Sequence, residues 1–323
     1  MLSSKESQCC KKTSIGGQAV IEGIMMKGPN KTVLAVRNTS NEIILEDVPS
    51  VSLKDKYPIL KLPIIRGVLG FIESMTVGYK TLMRSADLSG FTELEEEKDK
   101  DKPKSKSTEL LMNVVMVIAT ILGVALALAL FMYAPTKIFN FINSAAGGTL
   151  DVFRGLIEGV MKITLFVAYV LLVSMTKDIK RVFMYHGAEH KTIFCYEKGE
   201  ELNVENVRKQ SRFHPRCGTS FMFLMIAVSI IISTLITLIF PAVTKITALW
   251  IAIKILLVPL FCGLGYELIK FCGRHDNLLT KIVAAPGLWV QRITTKEPDD
   301  AMIEVAIQSI LAVIPENQED DRW

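Results

Sequence analysis

Two stretches of this chain contain no charged residue: Leu110–Tyr133 over 24 positions and Cys217–Thr244 over 28. A helix rises about 1.5 Å per residue, so ~20 apolar residues cross a hydrocarbon core of about 30 Å. Backbone polar groups in hydrocarbon must pair within the segment, which confines such runs to helices. Two further apolar runs are interrupted: Gly155–Thr176 holds Glu158 and Lys162, and Thr247–Tyr266 holds Lys254 and Pro259. The four together predict an α-helical integral membrane protein with about four transmembrane helices. Spans of this kind account for a chain that is 50% hydrophobic with a mean hydropathy of +0.35. The N-terminus lacks the short apolar run of a signal peptide, so no cleavage is expected.

Charge asymmetry predicts the orientation. Segment 177–216 carries nine Lys/Arg, whereas connections 134–154 and 241–246 carry only Lys137, Arg154 and Lys245. The excess of cations puts 177–216 and both termini in the cytoplasm of a cell whose cytoplasmic membrane holds the protein. On that orientation Lys162 and Lys254 lie towards the outer ends of their helices and snorkel to the interface. Glu158 pairs with Lys162 one turn on. Membrane bias explains the net charge of +4. No aromatic–basic platform points to nucleic acid, and the expected partners are membrane lipids and other membrane proteins. All six cysteines map to the cytoplasmic half or the bilayer, which argues against a disulfide framework. Cys9 and Cys10 read as incidental thiols of a flexible tail.

Around these spans the chain divides further. Residues 1–62 form a cytoplasmic β-containing module, with a hairpin turning at Asn38–Asn41 and the Gly16–Gly17 pair read as a backbone turn. Residues 63–91 read as an interfacial or partly inserted helix, or as an amphipathic helix packed on the cytoplasmic module. Its Gly70, Ser74 and Gly78 recur every four residues, the small-residue spacing that lets helices approach closely. Glu73 is flanked by small and apolar residues and reads either as a functional candidate or as a charge neutralised by Arg66 and Lys80. The run 92–109 is charged, contains proline and has no apolar face, as in a solvated linker. Spans one and two occupy 110–176, and spans three and four occupy 219–270. Between them, 177–218 is a cytoplasmic segment whose first helix ends at Lys198–Gly199 and whose second, over 204–212, is capped by Asn203. The C-terminal 271–323 places Trp289 as an interfacial anchor and Pro298 at a first helical position. A following apolar face comprises Ile303, Ala306, Ile307, Ile310, Leu311 and Ile314.

The chemistry concentrates between the second and third spans. Three of only four histidines fall within 29 residues, in "YHGAEHKTIFCYEKGEE" and "SRFHPRCGTSF". On a helix, His186 and His190 lie on one face one turn apart, a chelating spacing, and Glu189 completes the string H-x-x-E-H. His214 and Cys217 form a second pair, and imidazole with thiolate is a natural donor set for zinc. Two arrangements are open. Three ligands with a free position would make a catalytic zinc site with Glu189 as general base. Four ligands (His186, His190, His214 and Cys217) would make a structural one. The corresponding functions are a metal-dependent hydrolase acting on a lipid or membrane peptide, and a non-catalytic membrane-protein biogenesis, translocon-associated or scaffold factor. A third, weaker reading uses the Arg208–Arg216 cluster to bind acidic headgroups.

The segments "GGQAVIEGIMMKGP", "LPIIRGVLGFIES", "DIKRVFMYHGAEHKTIFCYEKGEELNVENVRKQSRFHPRCGTSF", "YELIKFCGR" and "APGLWVQRITTKEPDDAMIEVAI" resemble the YqhQ-like family of bacterial multi-pass membrane proteins. The resemblance covers nearly the whole chain and implies a bacterial cytoplasmic-membrane protein. The family is a domain of unknown function that has been labelled a predicted metal-dependent enzyme.

Overall fold

The computed structural model describes residues 12–49, 57–90, 106–275, 277–317 and 320–321. Cys9, Cys10 and the linker up to residue 105 lie outside the described residues; Lys106–Glu109 already belong to a helix.

The N-terminal part is a four-stranded antiparallel meander: β1 (Gly16–Val20), β2 (Gly23–Lys27), β3 (Thr32–Arg37) and β4 (Ile43–Asp47). The β3–β4 hairpin turns at Asn38–Asn41 as the sequence predicts, with Asn41 at φ 67°. The Gly16–Gly17 pair does not turn the chain; both residues lie in β1. Strand residues alternate between two cores, as the period of two demands. Ile24, Met26, Val33 and Ala35 pack on one side with Tyr185, Met302 and Ile303. Val20, Met25, Leu34 and Val36 pack on the other with Val77, Leu82 and Leu88. Both faces of this small sheet are therefore covered, where an antiparallel sheet commonly leaves one to water.

Three helices supply the cover. Helix α1 (Ile65–Leu88) lies on the second face and also packs along a later helix, α10 (Val258–Arg274). Arg66 forms a two-pronged pair with Glu267 of α10. Of the expected small-residue stripe only Gly78 is buried, and the close approach to α10 is made at Gly67 instead. The remaining face of α1 exposes Ile72, Met75, Tyr79 and Met83. The first face of the sheet meets α5 (Lys177–Glu197) and α12 (Asp300–Leu311). Helix α12 begins later than the sequence suggests: Asp299 is its cap, its side chain accepting from the Met302 N–H, and Pro298 precedes it. Ile303, Ala306 and Ile310 are buried as expected, whereas Leu311 is half exposed.

The apolar part is built around α7 (Gly218–Ile239), along which α4 (Arg154–Val173), α10 (Val258–Arg274) and α11 (Leu278–Thr294) pack. Helix α2 (Lys106–Leu128) continues into α3 (Ala134–Ala145) through a π-helical turn at Ala129–Tyr133. Pro135 explains the turn, because proline lacks an N–H and its ring crowds the carbonyl four residues back. A short α8 (Pro241–Lys245) leads into α9 (Thr247–Leu256), which meets α10 at a 43° bend. Pro259 at the start of α10 accounts for that break in the same way. Among the described residues three helices are long and apolar enough to cross a membrane, or four if the bent α9–α10 pair is one span. Apart from these, α6 (Val204–Arg208) is a single capped turn and stops at Arg208 rather than at residue 212.

Lys162 and Lys254 do not snorkel. Both are buried, and Glu158 pairs with Lys254 of α9 as well as approaching Arg154 on its own helix. Snorkelling follows from a helix considered alone; three helices closing around the same charge remove the route to the interface.

Candidate metal centre

Helix α5 carries the histidine motif through the centre of the molecule. Asp178 in its first turn complements the helix dipole. Its end is closed by a Schellman arrangement in which Gly199, at φ 68°, lets the Glu200 N–H reach the Cys195 carbonyl at 3.1 Å. Between these ends the helix is covered by the sheet on one side and by the α11–α12 connection on another, so Tyr185 and residues 187–193 are buried. Gly187 is the point of closest approach: a Cβ there would overlap the Lys296 carbonyl oxygen. The glycine that weakens the helix in isolation is the residue that lets the 294–298 segment lie against it.

That segment and the turn before α7 fix the two imidazoles. His186 Nδ1 donates to the Thr294 carbonyl at 2.9 Å, and His190 Nδ1 donates to the Arg212 carbonyl at 2.6 Å. A carbonyl can only accept, so each Nδ1 carries a proton and each neutral ring presents a bare Nε2. Cys217 caps α7, its sulfur accepting from the Thr219 N–H. His186 Nε2 lies 3.2 Å from the Cys217 sulfur, and the donor atoms of His186, His190 and Cys217 all fall within 4.8 Å of one another. Proton-donating contacts from the far ring nitrogen to backbone carbonyls are the usual outer support of metal-binding histidines. The residues present therefore fit a thiophilic divalent ion of the zinc class, with a His₂Cys set.

Electrostatics favour a thiolate. Burial alone would raise the Cys217 thiol, but His186 and His190 outweigh it and hold it well below its ordinary value of 9.0. The helix N-terminus acts in the same direction. Burial likewise opposes the charged form of His186, yet Cys217 and Glu189 raise it to about 9. Glu189, buried, accepts from the Gly17 N–H in β1, and burial pushes its carboxyl above 4.5. A Cβ at residue 17 would meet the Met25 carbonyl oxygen at 2.8 Å and then the Glu189 carboxyl at 3.1 Å, so glycine there leaves room for both.

His214 is not brought into this set. Its backbone is clamped by Gln291, which accepts from the His214 N–H and donates to its carbonyl, each at 2.7 Å. Its ring sits against Glu197 at 3.7 Å and against Arg216, and burial lowers its pKa to about 4. Arg216 in turn pairs with Glu197 and donates to the Thr13 carbonyl at 2.8 Å, tying the N-terminal segment to α5. His214 thus belongs to a neighbouring polar clasp, its ring centre 5.5 Å from that of His190. The four cysteines among the described residues are free. Sequence reasoning missed Thr294, Arg212 and Gly17. The first two act through backbone carbonyls, which leave no side-chain signal. Gly17 was visible as a glycine, but its partner was not.

The chain matches, over residues 62–316, the family model described as protein of unknown function (DUF1385). It is 35% identical over 297 residues to the uncharacterized protein YqhQ of Bacillus subtilis (strain 168), covering 91% of this chain and 90% of that relative. No solved structure matches it. The chain belongs to this family, as the sequence motifs suggest.

Proposed function

We propose that this member of the family is a membrane-embedded, metal-dependent hydrolase whose zinc-class ion is held by His186, His190 and Cys217, with Glu189 moving the proton. The convergence of three donors, both histidines oriented through Nδ1 by backbone carbonyls, carries this reading. Three protein ligands leave a coordination position free, as in catalytic rather than structural zinc sites. A zinc ion in such a site supplies Lewis acidity and acidifies the water it holds. The chain's own part is to fix the ligands, to keep Cys217 deprotonated and to hold Glu189 beside them in a setting that raises its proton affinity. Cys217 begins a 22-residue apolar helix. If that helix spans the bilayer, the centre lies at the membrane boundary, where a lipid or a membrane peptide would be the substrate. The positive-inside bias puts that boundary on the cytoplasmic side.

Burial of Glu189, His190 and Cys217 favours one competing reading. In it the same ion is structural, and the protein is a scaffold or biogenesis factor. Metal stoichiometry of the purified full-length protein tests both. One zinc-class ion per chain, lost in His186→Ala and Cys217→Ser, is the expected result, and a metal-free wild type sinks either version. Complementation by Glu189→Gln then separates hydrolase from scaffold.

A further inference from the structure

A second cluster of charge lies at the other end of the apolar bundle. Cys217 of the histidine centre caps the start of α7, whereas Gly155, next to Arg154 at the start of α4, packs on Thr234 near the far end of α7; 17 residues at about 1.5 Å each separate the two clusters by roughly 25 Å. Arg154, Glu158 and Lys162 are buried on α4, and Lys254 of α9 is buried beside them. Glu158 is heavily engaged. It pairs with Lys254, accepts from the Trp250 indole N–H at 3.2 Å and lies 3.6 Å from Arg154. Lys254 also donates to Thr136 Oγ1 at 2.8 Å. Arg154 has Phe139 stacked 4.4 Å from its guanidinium carbon and a half-exposed Asp151 at 3.7 Å, beyond hydrogen-bond reach.

Two features set this cluster apart from an ordinary buried ion pair. Three buried cations share one buried carboxylate, and the half-exposed Asp151 reaches only Arg154 among them, which leaves the cluster short of negative charge. In addition, Arg154 Nε and Nη1 are buried with no hydrogen-bond partner. Its two ion pairs, at 3.6 and 3.7 Å, leave these donors desolvated without a hydrogen bond, which is costly for a buried guanidinium. A lysine could relieve the charge excess by shedding its proton, but that would give the guanidinium no acceptor. Arginine itself stays protonated and has only donors. What is lacking is an acceptor carrying negative charge. The amino end of a 20-residue helix adds to the positive potential at this spot.

We propose that Arg154, Lys162 and Lys254 form an oxyanion site for a phosphate group, at the end of the bundle opposite the histidine centre. Guanidinium with ammonium groups is the donor set that phosphate takes. The phosphate can come from a phospholipid headgroup or from a free phosphate ion, and the two sources are separable.

The test uses full-length protein in a neutral detergent and in nanodiscs of phosphate-free glycolipid. Inorganic phosphate, against chloride at equal ionic strength, is titrated in the first; phosphatidylglycerol is doped into the second. Thermal midpoint and phosphorus bound per chain are measured. A rise of several degrees with phosphatidylglycerol alone identifies a headgroup site, and a rise with inorganic phosphate identifies a free-anion site. In either case Arg154→Gln and Lys162→Gln should weaken binding at least tenfold, while Lys137→Gln, an exposed lysine on α3, leaves it unchanged. Should Arg154→Gln not fold, Arg154→Lys, which keeps the charge and loses the fork, should bind more weakly than wild type. The proposal is overturned if neither probe stabilises wild type and no phosphorus is bound, or if the substituted proteins respond as wild type does.

Discussion

At the histidine motif, each residue's role depends on what holds its far side. His186 and His190 can present Nε2 as a donor because two carbonyls occupy their Nδ1 atoms, and His214 stands outside the set because Glu197 and Arg216 flank its ring. Glu189 lies beside the histidines without being one of the three converging donors, which makes its substitution informative. Glu189→Gln keeps an acceptor for the Gly17 N–H and adds no buried charge, so metal content and thermal midpoint should match wild type. If it is the general base, activity should fall by roughly 10²–10⁴-fold, read by complementation of a deletion strain. Full complementation would assign the centre to structure. Gly187→Ala tests packing at the same motif. Alanine favours an isolated helix by about 1 kcal/mol. Here its Cβ meets a backbone carbonyl that has no rotamer to move, and overpacking of this kind costs about 1–3 kcal/mol. A lowered midpoint is expected; a raised one would mean that the α11–α12 connection does not lie where described.

Elements are joined by polar clasps as much as by apolar contact. The end of α5 is held to the turn before α7 and to the N-terminal segment through Glu197, His214, Arg216 and Thr13. Two of these groups titrate in acid, and both act in the same direction. Burial lowers His214 from 6.5 to about 4, so the unfolded chain binds the extra proton first and stability falls as pH drops through that interval. Burial works to raise Glu197, but His214 and Arg216 outweigh it and hold the carboxyl below 4.5. A depressed carboxylate stabilises the fold above its unfolded pKa and loses that contribution as pH falls through the folded value. The detergent-solubilised protein should therefore lose stability from about pH 6.5 downwards. In His214→Gln the loss should begin only near pH 4.5. An unchanged profile in this variant would remove His214 from the acid response.

For the whole molecule, the sheet, α5 and α12 form a cap at one end of the apolar bundle, and α4 and α7 have their ends nearest the histidine centre there. The charge bias of the sequence leads us to expect that cap on the cytoplasmic side. Cysteines introduced at the exposed Thr149 and Glu201 report on the two ends. Thr149→Cys should react with an impermeant maleimide on intact cells, and Glu201→Cys only after permeabilisation, each judged against the parent protein. The opposite pattern would invert the orientation and put the histidine centre outside the cell.

Hydropathy and helical period act locally along the chain, and this is why so much was legible from it. The long apolar helices, the sheet with its hairpin at Asn38–Asn41, and the end of α5 at Lys198–Gly199 follow from neighbours a few residues apart. So does the pairing of His186 with His190, since one helical turn sets it. The rest depended on residues far apart in sequence. Cys217 joins the two histidines because α7 starts beside α5, and His214, three residues earlier, is turned away by Gln291 from α11. Lys162 and Lys254 carry the pattern of snorkelling side chains, yet α3, α4 and α9 close over them. The carbonyls of Thr294 and Arg212, which orient the imidazoles, belong to a backbone that every residue possesses. A local pattern can show that a donor exists, but only the packed chain sets which acceptor it meets, because that choice depends on contacts between distant elements.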